Sequence, residues 1–213
     1  MSAAIRRNTK QDLVDATIRL VSTGGMASAS VRSITREAGI TEGALYRHYP
    51  SKEALWCEVY TRIVEAMAAD KATLLEAEGS AREKLTEWIR LTYAYYDGNR
   101  DAFNYVLLAP LTLADSLGEI YTRQGRLFCS MYEHLLERKE VREYEPRMAL
   151  VMFSGLSLSI PKLINEGQIE GPALAHVQTI AEAVWRVLGK DSTDHQDQDQ
   201  DQDQDQGPDM RLR

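Results

Sequence analysis

Between Ser30 and Lys52 the sequence leaves room for two short helices about one sharp turn, and for little else. Ser30 has the hydroxyl of an N-cap, Val31, Ile34 and Ala38 follow at helical spacing, and Gly39 can take the left-handed conformation that ends a helix. Thr41 caps the next segment and Leu45 and Tyr49 turn inward. Pro50 stops it, because the residue before a proline is pushed out of helical geometry. Two short helices flanking a turn of about three residues have the spacing of a helix-turn-helix.

The rest of the chain repeats apolar residues at helical rather than strand spacing, which predicts an all-α protein of about nine helices. Thr9, with Asp12 after it, is the expected cap of a first helix that Gly24 and Gly25 stop. From a Ser51 cap a long fourth helix runs to about Glu78, with Leu55, Val59, Ile63, Met67 and Leu74 on one face. Ser80 and Glu83 form a capping box for the fifth, which Gly98 closes. The sixth starts at Asn99 and stops at Pro110, and a long seventh starts near Thr112 and carries Ile120, Gln124, Leu127, Phe128, Met131 and Leu135 on one face. The eighth, opened by Pro146, is apolar nearly all round, and the ninth, Pro172 to Leu188, has apolar residues on two faces. One chain rarely covers both, so these two helices are expected to pack on the core with one side and on a second copy with the other, as a four-helix dimer interface. The expected organisation is a helix-turn-helix head at 1–52, a sensing and dimerisation bundle at 53–189, and an acidic, disordered Asp-Gln tail at 190–213.

Charge separates along the same line. Residues 1–52 hold eight Lys/Arg against four Asp/Glu, a net +4, while the whole chain is −7, which leaves −11 beyond residue 52. A basic head on an acidic body suits contact with a polyanion at one end. No stretch of about twenty uninterrupted apolar residues and no signal-peptide pattern is evident, so a cytoplasmic protein is expected. Cys57 and Cys129 lie far apart within helical patterns and read as core fillers rather than as a disulfide or a metal site.

The third helix would present Thr41, Glu42, Gly43, Tyr46 and Arg47 outward, so that it fits a major groove about as wide as a helix. Gly43 removes a side chain where backbone would approach DNA. The Tyr46 hydroxyl and the Lys52 ammonium suit phosphate oxygens, which fix register without reading sequence. Arg32, at the start of the second helix beside Ser33, and Arg47 are the candidates for bidentate contact with guanine edges. His48 has two readings from its residue type, a phosphate donor or a packed histidine between the helices.

The run Gly43-Ala44-Leu45-Tyr46-Arg47-His48-Tyr49-Pro50-Ser51-Lys52 resembles the signature of the TetR family of transcription regulators, and the likeness covers about the first 60 residues. The resemblance favours phosphate contact for His48. Glu42 departs from the lysine or glutamine frequent there in the family, and a carboxylate facing DNA repels phosphate unless it accepts from a cytosine amino group. The resemblance further implies a dimer on a palindromic operator and a small-molecule cavity among the fifth to eighth helices, whose occupation pulls the two heads out of register. In that region Trp88, Thr92, Tyr96, Phe103, Leu107, Gln124, Phe128, Met131 and Met152 are expected to face inward, each with core packing as the bland alternative. With no formal charge identified among them, an apolar or aromatic effector is favoured over an ionic one. The expected function is therefore a repressor released by its effector. A ligand-requiring activator or co-regulator remains open within the class, and an all-helical interaction or enzymatic module outside it. The sequence has no glycine-rich phosphate loop, GxSxG elbow or HExxH, and His134 and His176 stand alone on helices, so no enzyme activity, cofactor or metal is expected.

Overall fold

The structure is a computed structural model that describes residues 8–190; the Asp-Gln segment expected to be a disordered tail lies outside them, apart from Lys190. Ten α-helices are found among the described residues, and the only β pairing there is one isolated bridge between Val141 and Gly189. The helices are α1 (Thr9–Gly24), α2 (Val31–Ala38), α3 (Glu42–His48), α4 (Lys52–Glu76), α5 (Ala81–Gly98), α6 (Arg100–Leu108), α7 (Pro110–Leu117), α8 (Glu119–Glu137), α9 (Pro146–Asn165) and α10 (Val177–Leu188).

Local chemistry sets most boundaries. Ser30, Thr41 and Ser51 accept from the backbone N–H of Ser33, Ala44 and Ala54, and Ser80 with Glu83 completes the capping box. The first cap differs from expectation by one residue: Asn8, not Thr9, accepts from Gln11 N. The expected long seventh helix is two helices, because Gly118 takes φ +54 and breaks the run between α7 and α8. Pro110 opens α7 at its first position, where a missing N–H costs nothing, rather than ending a helix before a loop. A 3-10 turn at Ala173–His176 precedes α10, which shortens the expected last helix.

The head is built from α1 to α3 on the first turns of α4. Leu13, Ala16, Ile34, Leu45 and Leu55 are completely buried there and continue into the core of the body without a gap. Lys52, at the expected domain boundary, is the first residue of α4, so one unbroken helix runs from head to body. In the body α4 packs on α5 and α8, α9 on α8 and α10, and α10 on α5, while α6 touches both α1 and α4. α9 is long and apolar enough to pass as a membrane span by composition, with a hydropathy of 1.4, yet it sits in this bundle with Ala149, Phe153, Ser157 and Ile160 buried. Its opposite side is open in the single chain: Met148 is 53% and Val151 61% exposed.

Candidate nucleic-acid interface and effector cavity

The helix-turn-helix is held from beneath. Gly39 adopts φ 64 and ψ 40, its N–H and that of Ile40 cap the end of α2 at Thr35 and Arg36 carbonyls, and α3 departs at once from the Thr41 cap. Leu45 and Tyr49 fix α3 by burial. The other side of α3 is bare: Thr41, Glu42, Gly43, Tyr46, Arg47 and His48 are all exposed, and Tyr46 keeps 51% of its surface. The exposure of His48 removes the packed-core alternative for that residue. A Cβ added at Gly43 would meet nothing within 4 Å, so the chain itself does not require glycine there.

Arg32 is exposed on α2, and neither it nor Arg47 forms an ion pair among the described residues, whereas Arg19 is paired with Glu37 at 3.1 Å. Two guanidiniums are thus left without an internal anion on the bare side. Ser33 is half-buried, and its hydroxyl donates to the Ser28 carbonyl at 2.5 Å and lies against Ser30, so it braces the entry to α2. Lys52 stands in the first turn of α4 with Nζ 4.3 Å from the Trp56 ring centroid and 3.9 Å from Glu53 Oε1, loosely held and half-exposed.

In the body a cavity of about 190 Å³ lies between α4, α5, α6, α8 and α9. Of the residues expected to face inward, Trp88, Thr92, Phe103, Leu107 and Gln124 line it. Tyr96, Phe128, Met131 and Met152 lie off it. The Tyr96 hydroxyl donates to Asn165 Oδ1 and its ring backs Phe103, with centroids 5.3 Å apart. Phe128 and Met131 are buried behind the wall, where Phe128 packs on Trp88 and Phe153 at 5.5 and 4.6 Å, and Met152 is half-buried on another side of α9. The physical reason is registry: Phe128 and Met131 share a stripe with Gln124 but lie one and two turns further along α8, past the end of the void.

The sequence reading missed most of two walls. One is the stripe Tyr60, Val64, Met67 and Lys71 on α4; the other is Leu150, Phe153, Ser154, Ser157 and Leu158 on α9. Both repeat at intervals of three and four residues, the signature of one helix face, so their period was visible even though their partner was not. Lys71 also overturns the expectation of a cavity without formal charge. Only 2% of it is exposed, its ammonium donates to Gln124 Oε1 at 2.8 Å, and it lies 5.3 Å from the Trp88 ring centroid. Burial pushes its pKa down to about 7, opposed weakly by the charge of Asp70. Two of the other polar groups in the lining are already committed, because the Thr92 and Ser157 hydroxyls donate to the Trp88 and Phe153 carbonyls.

Hydrogen bonds connect cavity and head. Tyr105 on α6 donates to the Trp56 carbonyl on α4 at 2.9 Å, and Ser22 on α1 donates to Asp101 on α6 at 2.7 Å. α6, which contributes Phe103, Val106 and Leu107 to the cavity, is therefore tied to both parts of the head.

Comparison with known proteins places this arrangement. Residues 13–59 match the family model described as Bacterial regulatory proteins, tetR family. Over 54 residues, 25% of this chain and 25% of the relative, the sequence is 37% identical to the HTH-type transcriptional regulator AcrR of Shigella flexneri. The aligned stretches span a quarter to about half the length of the first curated relatives. The ketosteroid transcriptional regulator KstR2 of Mycobacterium tuberculosis superposes with a TM-score of 0.72 at 17% identity, covering 89% of this chain and 100% of that one. The transcriptional regulator FadR from Bacillus subtilis, solved in complex with stearoyl-CoA, gives 0.65 at 18% identity over 82% of this chain and 96% of that one. At these identities the two structures establish the fold.

Proposed function

We infer that this chain, a tetR-family protein by its head and its fold, is a one-component transcription regulator of the cytoplasm that grips palindromic DNA as a homodimer and lets go when a small effector fills its cavity. The observation that carries this is the bare side of α3 with Arg32 beside it: a short helix fixed by Leu45 and Tyr49, presenting two arginines that no internal carboxylate neutralises. Arg32 and Arg47 take base edges, where a guanidinium fits guanine O6 and N7 in bidentate fashion. Tyr46, His48 and Lys52 take phosphate oxygens, helped by the N-terminus of α4 at Lys52, while Thr41 and Ser33 flank them. Gly43 leaves open space for the groove wall. Glu42 sits at the entry of α3, where it favours a cytosine amino group over phosphate.

The dimer forms through the α9 and α10 side that Met148 and Val151 leave open, with Leu174 extending the apolar surface. The head spacing is then set by α4. Its 25 residues span about 37 Å, with Lys52 and Trp56 at the DNA end and the stripe Tyr60 to Lys71 along the cavity. An effector wedged against that stripe displaces α4, and with it the α6 contacts to Trp56 and Ser22, so that the two heads no longer meet successive major grooves. The coupling is reciprocal: operator DNA weakens the effector by the same factor as the effector weakens DNA. The mostly apolar walls fit an effector with an apolar or aromatic body, and stearoyl-CoA bound to a protein of this fold, FadR, is consistent with such cargo.

Fluorescence anisotropy of the protein on DNA from upstream of its own gene, against an unrelated fragment of equal length across a salt series, tests the DNA reading. Preference for the upstream fragment with steep salt dependence is expected. Equal weak binding to both fragments at every salt concentration, with no slope, refutes it.

A further inference from the structure

Lys71 is the single formal charge on the cavity wall, and its surroundings leave it without an anion. Among the described residues it forms no ion pair; its one hydrogen bond goes to Gln124 Oε1 at 2.8 Å. An ammonium can only donate, so it must take the amide oxygen of Gln124, and that fixes the orientation of the amide. The Gln124 NH₂ is thereby turned toward the Met67 sulfur at 3.6 Å, a weak acceptor. Two donor groups, one of them cationic, thus sit side by side in an apolar cavity, with a single neutral amide oxygen between them and no anion to neutralise the ammonium. Such a pair is costly to bury unless something else completes it.

We propose that the effector carries a carboxylate, one oxygen on the Lys71 ammonium and the other on the Gln124 amide N–H, with an apolar body lying along the α4 stripe toward Tyr60. This rests on the cavity being the effector site. A single cation matches a monoanion better than a phosphate ester, and a cationic ligand is repelled by Lys71. The size is set by the void: since a cavity of ~150 Å³ holds benzene, about eight non-hydrogen atoms fit one of about 190 Å³. Extended, a body of that size reaches about 10 Å from Lys71, part of the way along the stripe toward Tyr60, which lies eleven residues or about 16 Å away along the α4 axis. Rings of Trp88, Phe103 and Phe153 supply the apolar surface between them.

Protonation makes the proposal measurable. Lys71 sits near pH 7 in its lowered pKa, and a carboxylate beside it favours the ammonium, so binding above pH 7 draws in a proton. The neighbouring charges do not mimic this. Asp70 is exposed on α4, Glu87 and Arg90 on α5 are paired with each other, and Arg123 and Arg126 of α8 are exposed. Tyr60, whose pKa burial pushes up to about 12, stays protonated throughout the range used.

The test is isothermal titration calorimetry of the full-length protein with octanoate against octan-1-ol and benzoate against benzyl alcohol, in two buffers of different ionisation enthalpy. The acids are expected to bind about tenfold or more tightly than their alcohols, the range of a charge-assisted hydrogen bond. At pH 8 an acid should take up about 0.9 proton per site and at pH 6 about 0.1, given a pKa of about 7 for the free protein. In Lys71→Met both the acid preference and the proton uptake should vanish, and Gln124→Met should reduce the preference while retaining the uptake. Acids and alcohols binding equally would overturn the carboxylate while leaving the cavity as an effector site. Failure of all four probes to bind protein that still holds its DNA would overturn the effector reading of the cavity together with the carboxylate.

Discussion

Replacing Lys71 by methionine should stabilise the protein, although it removes a hydrogen bond and a cation near an aromatic ring. The side chain is almost wholly buried and its pKa falls from 10.5 to about 7, so the folded chain at neutral pH holds a lysine that water would keep charged. Because the folded lysine is already half neutral at pH 7, that drop costs about 4 kcal/mol there. Methionine has nearly the same length and carries no such cost, but it leaves the Gln124 oxygen without its donor, a loss of about 1 to 3 kcal/mol. The net gain is about 1 to 3 kcal/mol. At about 2 to 4 °C per kcal/mol for a chain of this size, the middle of that range raises the melting temperature by about 4 to 8 °C, compared at equal protein concentration. The pH dependence is the sharper signature. Between pH 7 and 10.5 the unfolded chain binds a proton at Lys71 that the folded chain does not, so wild-type stability rises with pH in that window and the variant lacks this contribution. Urea unfolding monitored by circular dichroism from pH 7 to 9 should show the advantage of Lys71→Met shrinking by about 0.7 kcal/mol per pH unit at pH 7 and about twice that above pH 8. A constant gap across that range, or a variant less stable than wild type at pH 7, would show that Lys71 is not buried against its charge and would refute the reasoning.

The head and the dimer face give further outcomes. Tyr46→Phe and Lys52→Ala should weaken binding to every DNA sequence, the latter with a salt slope lower by about one contact, whereas Arg47→Ala should relax preference at particular base pairs by about 1 to 3 kcal/mol. A uniform loss for Arg47→Ala on a panel of single-base operator variants would remove its base-reading role. Val151→Glu places a charge on the open side of α9 and should yield a monomer by light scattering that no longer distinguishes a palindrome from a half-site; an intact dimer would move the interface elsewhere. Gly39→Ala forces a Cβ into φ 64 and should lower stability by about 1 to 2 kcal/mol in thermal or chemical unfolding, with an unchanged midpoint counting against the left-handed cap.

What could be read in the sequence was what depends on near neighbours. Caps at Ser30, Thr41, Ser51 and Ser80 were legible because an N-cap hydroxyl and the donors it serves lie within three residues of each other. The bare side of α3 was legible because two inward residues, Leu45 and Tyr49, orient the whole of a seven-residue helix. The break at Gly118 was not, since a glycine inside an otherwise periodic run is tolerated in a helix as often as it ends one, and only packing of α7 and α8 on α4 decides. The cavity was half legible. Its aromatic lining follows from inward faces, but where a void ends is fixed by residues on several helices at once, which is why Phe128 and Met131 lie beyond it.

Lys71 explains why the remainder stayed hidden, and what it implies about the design of the chain. A lysine on a charged helix reads as solvent-facing, and Asp70 beside it strengthens that impression. Yet Tyr60, Val64, Met67 and Lys71 recur at four, three and four residues, so the same period that assigns the first three to the interior assigns the fourth. Taken as a face rather than as residue types, α4 carries the half-exposed Lys52 at one end and a buried lysine nineteen residues on, about 28 Å away along an unbroken helix. A rigid element of that kind cannot change its pose at Lys52 without moving its wall at Lys71. A charge whose burial weakens the empty protein is then not an inefficiency. On the proposed reading it makes the unoccupied cavity the strained state, so that an anion arriving there would release free energy at the element from which the head is hung.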